Sequence, residues 1–197
     1  MSISRAAIRL VDRAGISAAD STGNGGLVDS PKEFTKLKNT ETLKLTTPSD
    51  REVVLTRVFD APRKLVFEAC TVPALLKRWM EAPGRAMEVC EIDLKVGGAY
   101  RFVWRGPGKP EVGMHGVYRE VEPPERFVRT EAWEDWDAGE VLVTTDLIED
   151  QGKTTLTSTV LFPSREVRDA VLKAGMEHGA ADSFDKLDEY LVSVVSK

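Results

Sequence analysis

Histidine and cysteine are scarce in this chain, with two of each among 197 residues. A zinc or iron centre would need both His115 and His178 together with carboxylates from distant segments, and no ligand spacing announces one. Neither a metal nor a cofactor is therefore expected. Cys70 and Cys90 lie in apolar, element-like sequence, which fits two reduced, partly buried thiols better than a disulfide framework. Cys70 has no evident base beside it and no Gly-x-Ser-x-Gly elbow is present, so nucleophilic catalysis has no announced centre. No apolar run approaches the ~18 residues of a membrane-crossing helix, and membrane insertion is not expected. Lys and Arg number 27 against 32 Asp and Glu, giving a net charge of −5. No window is densely basic, which argues against a nucleic-acid partner. Arg5, Arg9 and Arg13 surround Ile8, Leu10 and Val11 without a continuous apolar stretch, so no signal peptide is read and a cytoplasmic location is expected.

The chain divides by texture. Residues 1–45 are poor in aromatics and contain the linker-like run Ser21 to Gly26, so they read as a flexible N-terminal extension. Residues 46–197 read as one domain. Within it, Glu52 to Phe59 is β-branched and alternating, with Val53, Leu55, Arg57 and Phe59 on one face. Asp60, as N-cap, and Pro62 open a helical part whose apolar spacing suits two short helices divided at Thr71-Val72-Pro73 and ended by Pro83-Gly84. Six further strands follow, Met87 to Leu94, Ala99 to Arg105, Val112 to Val121, Arg126 to Trp133, Glu140 to Ile148 and Thr154 to Phe162, separated by turn chemistry. Gly97-Gly98 is one of those turns; no helix follows it, so it is not a phosphate loop.

The last stretch organises the rest. Ser164 caps a helix start, Glu166 suits its first turn, and no proline follows to the end. Val167, Ala170, Val171 and Ala174 share one helical face, whereas Ala180, Phe184, Leu187, Leu191 and Val194 share another. The phase change falls at Gly175 and Gly179, which predicts a short helix running into a long one with a break near Gly175. A strand, two short helices, six strands and a long helix predict an α+β fold, an antiparallel sheet with one face covered by the C-terminal helix.

Several segments, in this order, resemble one family: Thr56-Arg57-Val58-Phe59-Asp60-Ala61-Pro62-Arg63, Leu75-Leu76-Lys77-Arg78-Trp79, Val96-Gly97-Gly98-Ala99-Tyr100, Gly116-Val117-Tyr118-Arg119-Glu120-Val121 and Gly175-Met176-Glu177-His178-Gly179. It is the bacterial group similar to the C-terminal domain of the activator of the heat-shock protein 90 ATPase, within the START-like helix-grip superfamily. The resemblance covers about Pro48 to Val195. It implies a curved antiparallel sheet gripping the long helix, with a ligand cavity between them. Many relatives carry tryptophan where Cys70 stands, an aromatic at Met80 and often one at Ala180. Smaller residues at these positions would reshape the cavity.

A cavity of that kind is lined by aromatics and a few convergent polar groups. The candidate ligand-binding residues are Trp79, Tyr100, Phe102, Trp104, Met114, Tyr118, Trp133 and Phe184, with Glu177 and His178 as polar groups. Of these two, one is expected to face inward, where Arg101, Arg105 or a strand tyrosine could pair a buried Glu177. The acidic run Glu134 to Asp137 reads as a solvated loop. The functional expectation is binding of a small hydrophobic molecule. Two rival readings are an enzyme of cyclase, dehydratase or hydrolase type with Glu177 or His178 as acid or base, and a protein-interaction role as a chaperone partner or homodimer.

Overall fold

A computed structural model describes residues 43–82, 84–134 and 139–195. The expected N-terminal extension up to residue 42, Pro83, and Asp135, Trp136 and Asp137 of the acidic loop lie outside the described residues. Strands are β1 (Lys44–Thr46), β2 (Glu52–Phe59), β3 (Ala86–Ile92), β4 (Ala99–Gly106), β5 (Lys109–Glu122), β6 (Arg126–Trp133), β7 (Val141–Asp150) and β8 (Lys153–Leu161). They form one antiparallel sheet in the order β1-β2-β8-β7-β6-β5-β4-β3. Helices are α1 (Arg63–Thr71), α2 (Pro73–Leu76), α3 (Arg165–Lys173) and α4 (Met176–Val195). β1 begins at Lys44, so the sheet takes in the last residues of the segment read as extension.

The helix starts follow two different rules. At α3 the Ser164 side chain accepts from the Val167 backbone N–H at 3.4 Å, with Glu166 in the first turn, as the capping pattern predicts. At α1 the expected Asp60 cap is not used. Pro62 takes that position without a side-chain hydrogen bond, and its fixed φ of −61° sets the chain on course for the helix. The helical part also stops earlier than Pro83-Gly84, since α2 ends at Leu76. Between α3 and α4 the chain turns at Gly175 with φ of 95°, a conformation that a Cβ would strain.

Curvature is concentrated in half of the sheet. Register shifts interrupt the β3–β4, β4–β5 and β5–β6 ladders, whereas β6–β7, β7–β8 and β2–β8 pair without a shift. Each extra residue bends its strand, so β3 to β6 curl over the concave face. That face carries Tyr100, Phe102 and Trp104 from β4, Met114 and Tyr118 from β5, and Phe127, Arg129, Glu131 and Trp133 from β6, by the period-two alternation of a strand.

Two apolar clusters lie under the helices. One joins α1, α2 and the second half of α4 to the curled strands through Phe59, Val66, Phe67, Leu76, Leu187 and Leu191. The other joins α3 and the first half of α4 to β2, β7 and β8 through Val53, Leu55, Val143, Val160 and Phe162. Phe184 packs against both.

A candidate ligand site under the first half of the C-terminal helix

The concave wall is built from rings whose polar tips are tied to backbone. Trp79 Nε1 donates to the Ala69 carbonyl at 3.0 Å, and Trp104 Nε1 donates to the Met80 carbonyl at 2.9 Å. The Tyr100 hydroxyl donates to the Thr130 carbonyl at 2.8 Å. This last bond depends on Gly116, where a Cβ would collide with both the Thr130 carbonyl and the Tyr100 ring. Satisfied tips let aromatic side chains be buried at little cost. Trp79, Tyr100 and Trp104 are accordingly buried, and Phe102, Met114 and Tyr118 are buried beside them, packed as the protein's own interior. Of the expected ligand-binding rings, Trp133 and Phe184 are only half-buried. Trp133 stacks on Trp104 with centroids 5.8 Å apart, and Phe184 meets Phe59 edge-on at 6.0 Å.

Glu177 and His178 are both exposed. The expectation that one of them faces inward is corrected by the structure. By angle, Glu177 lies close to the stripe of Ala181 and Phe184, yet its carboxylate sits in water at a helix N-terminus, while Met176 beside it packs onto the second cluster. The arginines proposed as its partners are engaged on the opposite face of the sheet. Arg101 Nε donates to Glu134 at 2.7 Å, and Arg105 pairs with Glu88 and Glu111. The Arg101 guanidinium beside Glu134 holds that carboxyl below its usual range.

Two charged groups missed by the sequence reading occupy the concave face. Arg129 and Glu131 alternate with Phe127 and Trp133 on β6, and their side chains are 12% and 17% exposed. Arg129 Nη2 donates to Glu131 Oε2 at 3.3 Å. The guanidinium lies 4.8 Å above the Tyr100 ring and 5.9 Å from the Phe102 ring, a cation–π bed that compensates part of its desolvation. Tyr118 faces Arg129 across the β5–β6 ladder. Burial pushes the Tyr118 hydroxyl pKa up, against the opposing pull of the Arg129 charge. Among the described residues, no partner of good hydrogen-bond geometry reaches Tyr118 Oη or Arg129 Nε. Burial alone would depress the arginine's pKa, but Tyr100, Glu131 and Tyr118 together hold it raised.

Arg57 is the third such group. Only 1% exposed, it donates through Nη1 to Asp185 Oδ1 at 2.6 Å and approaches Asp188 Oδ2 at 3.8 Å. It thereby fastens the middle of α4 to β2. Alternation had already placed it among Leu55 and Phe59, and a buried charge demands a partner. The acidic residues flanking Leu187 were the readable counterpart.

The first half of α4 is incompletely buried, apart from Ala181 at 5% exposed. Along the first half of α4, Gly179, Ala180, Ser183 and Phe184 are all half-buried; the first three are small, and the Ser183 hydroxyl turns back to donate to the Gly179 carbonyl at 2.9 Å. Val141 and Val143, opposite Glu131 and Arg129 on the neighbouring strand, belong to the cluster onto which Ala180 and Phe184 pack. Solvent therefore reaches inward-facing side chains on both walls, at Arg129, Glu131 and Trp133 on β6 and at Phe184 on the helix. A second depression, wide open and about 630 Å³, lies away from this space at the β3–β4 end, between Arg85, Glu88, Arg105 and Pro107. Its lining mixes Glu81, Arg85, Glu88 and Arg105 with Ala82, Ala86 and Pro107. Burial pushes the Cys70 thiol up to about 12, with the Arg129 charge pulling weakly the other way, and raises Cys90 to about 11; the two cysteines are unbridged. Among the described residues, no three His, Cys, Asp or Glu side chains converge on a point, and no helix is long and apolar enough to cross a membrane.

Residues 60–192 match the family described as Activator of Hsp90 ATPase homolog 1-like protein. A protein of Rhodobacter sphaeroides is similar in structure, with 32% identity and a TM-score of 0.73, over 77% of this chain and 99% of that one. Proteins of Mycobacterium smegmatis and Nitrosomonas europaea share the fold at 21% and 20% identity, with TM-scores of 0.69 and 0.68; the matches cover 78% and 77% of this chain and 99% and 100% of theirs. No curated protein matches the chain.

Proposed function

The chain belongs to the Activator of Hsp90 ATPase homolog 1-like family, and on that premise we propose that it binds a small, largely apolar molecule between the first half of α4 and strands β6 and β7. The observation that carries the reading is the incomplete burial of Arg129, Glu131, Trp133 and Phe184, which face into the grip and still meet solvent. A fold that needed only stability would close that gap with longer side chains, as it does at Leu187 and Leu191. The binding residues in this proposal are Trp133 and Phe184, with Arg129 and Glu131 as the polar part. The six buried candidates serve as the wall behind them. Removing ligand and ring surface from water contributes ~25 cal/mol per Å² of apolar area.

The test is a thermal-shift series with hydrophobic fragments against the intact protein and a Trp133→Ala variant. At a concentration 100 times the dissociation constant, a bound fragment adds about 2.7 kcal/mol to the folded state, and that gain should shrink in the variant. Absence of any shift across a chemically broad set would remove the proposal. An acid–base role for Glu177 or His178 gains no support from their exposure to water. Nor does a chaperone-partner or homodimer role gain support from the surface. Val72 and Val96 are exposed singly, Val58 and Ile148 form a small spot beside Thr155 on the outer face, and Val192, Val194 and Val195 are exposed at the end of α4, small groups rather than one broad patch.

A further inference from the structure

We infer that the guest carries an uncharged hydrogen-bonding end, a carbonyl, carboxamide or hydroxyl group, seated on the Arg129–Glu131 pair. The inference rests on the binding reading above and specifies its ligand class. Arg129 offers five N–H donors and Glu131 two acceptor oxygens, yet among the described residues a single hydrogen bond of 3.3 Å joins them. A closed structural pair would be bidentate and shorter. Here the guanidinium is instead held from below, by the Tyr100 and Phe102 rings and by Tyr118 across the ladder. Its orientation is thus set by the wall, and the pair keeps 12% and 17% of its side-chain surface exposed.

Two opposite charges side by side select against charge in a ligand. A carboxylate drawn to Arg129 would meet Glu131, and an ammonium drawn to Glu131 would meet Arg129, each losing its hydration in a half-enclosed site. A neutral oxygen accepts from Arg129 with no such conflict, and a neutral hydroxyl or amide N–H can donate to Glu131 as well. Trp133, stacked on Trp104 at 5.8 Å, offers a flat apolar surface next to this polar point. The site therefore suits an apolar body with a neutral polar end, and the rejection of ions is built in as repulsion.

The experiment compares four probes that share a naphthalene body, acetylnaphthalene, ethylnaphthalene, naphthoate and naphthylmethylammonium, by calorimetry on the full chain near neutral pH. Acetylnaphthalene should bind roughly three- to tenfold tighter than ethylnaphthalene, the value of one added neutral hydrogen bond. Both ions should bind at least about tenfold more weakly than the ketone. Glu131→Gln should raise naphthoate affinity about tenfold relative to that for ethylnaphthalene; Arg129→Gln should do the same for naphthylmethylammonium. Should one variant fail to fold, the other gives the mirror measurement, and the wild-type ranking decides independently of both. Either ion binding as tightly as the ketone, or Glu131→Gln leaving the naphthoate ratio unmoved, overturns the inference. If ethylnaphthalene binds and the ketone gains nothing, the cavity stands and its polar selectivity falls. If none of the four binds, both fall together.

Discussion

The two halves of α4 lie over the same sheet and are finished differently. In the second half Leu187 and Leu191 are 0% and 1% exposed, wedged into a cluster with Val66, Phe67 and Phe127. In the first half only Ala181 is buried, at 5% exposed; Gly179, Ala180 and Ser183 are half-buried, and the larger Phe184 stays half-buried between two clusters. Arg57 marks the division, with Asp185 and Asp188 clamping the helix to β2. One half is therefore a core and the other a wall. The difference comes from side-chain size along a single helix, because the backbone path is continuous across it. A helix pinned by its middle and its far end can leave part of its near half incompletely buried without losing the fold.

Several substitutions would break or sharpen that contrast. Leu187→Ala should have the largest effect, a loss of about 3 kcal/mol, because the site is fully closed and cannot collapse around the cavity; denaturant melts would show it as a lower midpoint at constant slope. Asp185→Ala should follow, at about 2 kcal/mol. Breaking a buried pair usually costs more, but Asp188 remains 3.8 Å from the same guanidinium. The Cys70 thiol gives the closed half a pH signature. Burial raises its pKa from 9.0 to about 12, so its contribution is complete below pH 9.0 and is lost as pH rises through about 12. Cys70→Ala should flatten that alkaline limb of a stability-against-pH curve. In the open half, Phe184→Ala should cost only about 1 kcal/mol while changing the affinity for apolar probes, a separation that Leu187→Ala should not show. Glu177→Ala and His178→Ala should stay within about 0.5 kcal/mol in the same melts and leave probe binding unaltered.

Much of the architecture was legible because the signals were local. Alternation in β2, β4 and β8, the Ser164 cap and the phase change at Gly175 each depend on neighbours along the chain. The helix-grip order followed from them and from the family resemblance. The site was less legible, for reasons visible at particular residues. Helical phase placed Glu177 near the inward stripe, but phase is silent on which residues of a turn meet the sheet: Met176 packs onto the second cluster and Glu177 stays exposed. Aromatic content suggested a lined cavity, yet Trp79, Tyr100 and Trp104 find backbone acceptors 10 to 30 residues away, bonds that no periodicity reveals. Arg129 and Glu131 were within reach of the method. Their spacing from Phe127 and Trp133 places them on the apolar face, and a charged pair on such a face is the kind of exception that marks a site.

Chemical-shift changes at the backbone amides of Arg129, Glu131 and Phe184 and the indole N–H of Trp133, followed during titration with an apolar naphthalene probe, address the proposed site beside the first half of α4 most directly. The account predicts saturable shifts at these four positions and little movement at Leu187 and Leu191. Shifts centred on Leu187 and Leu191, or a titration that leaves all six unmoved, would contradict it.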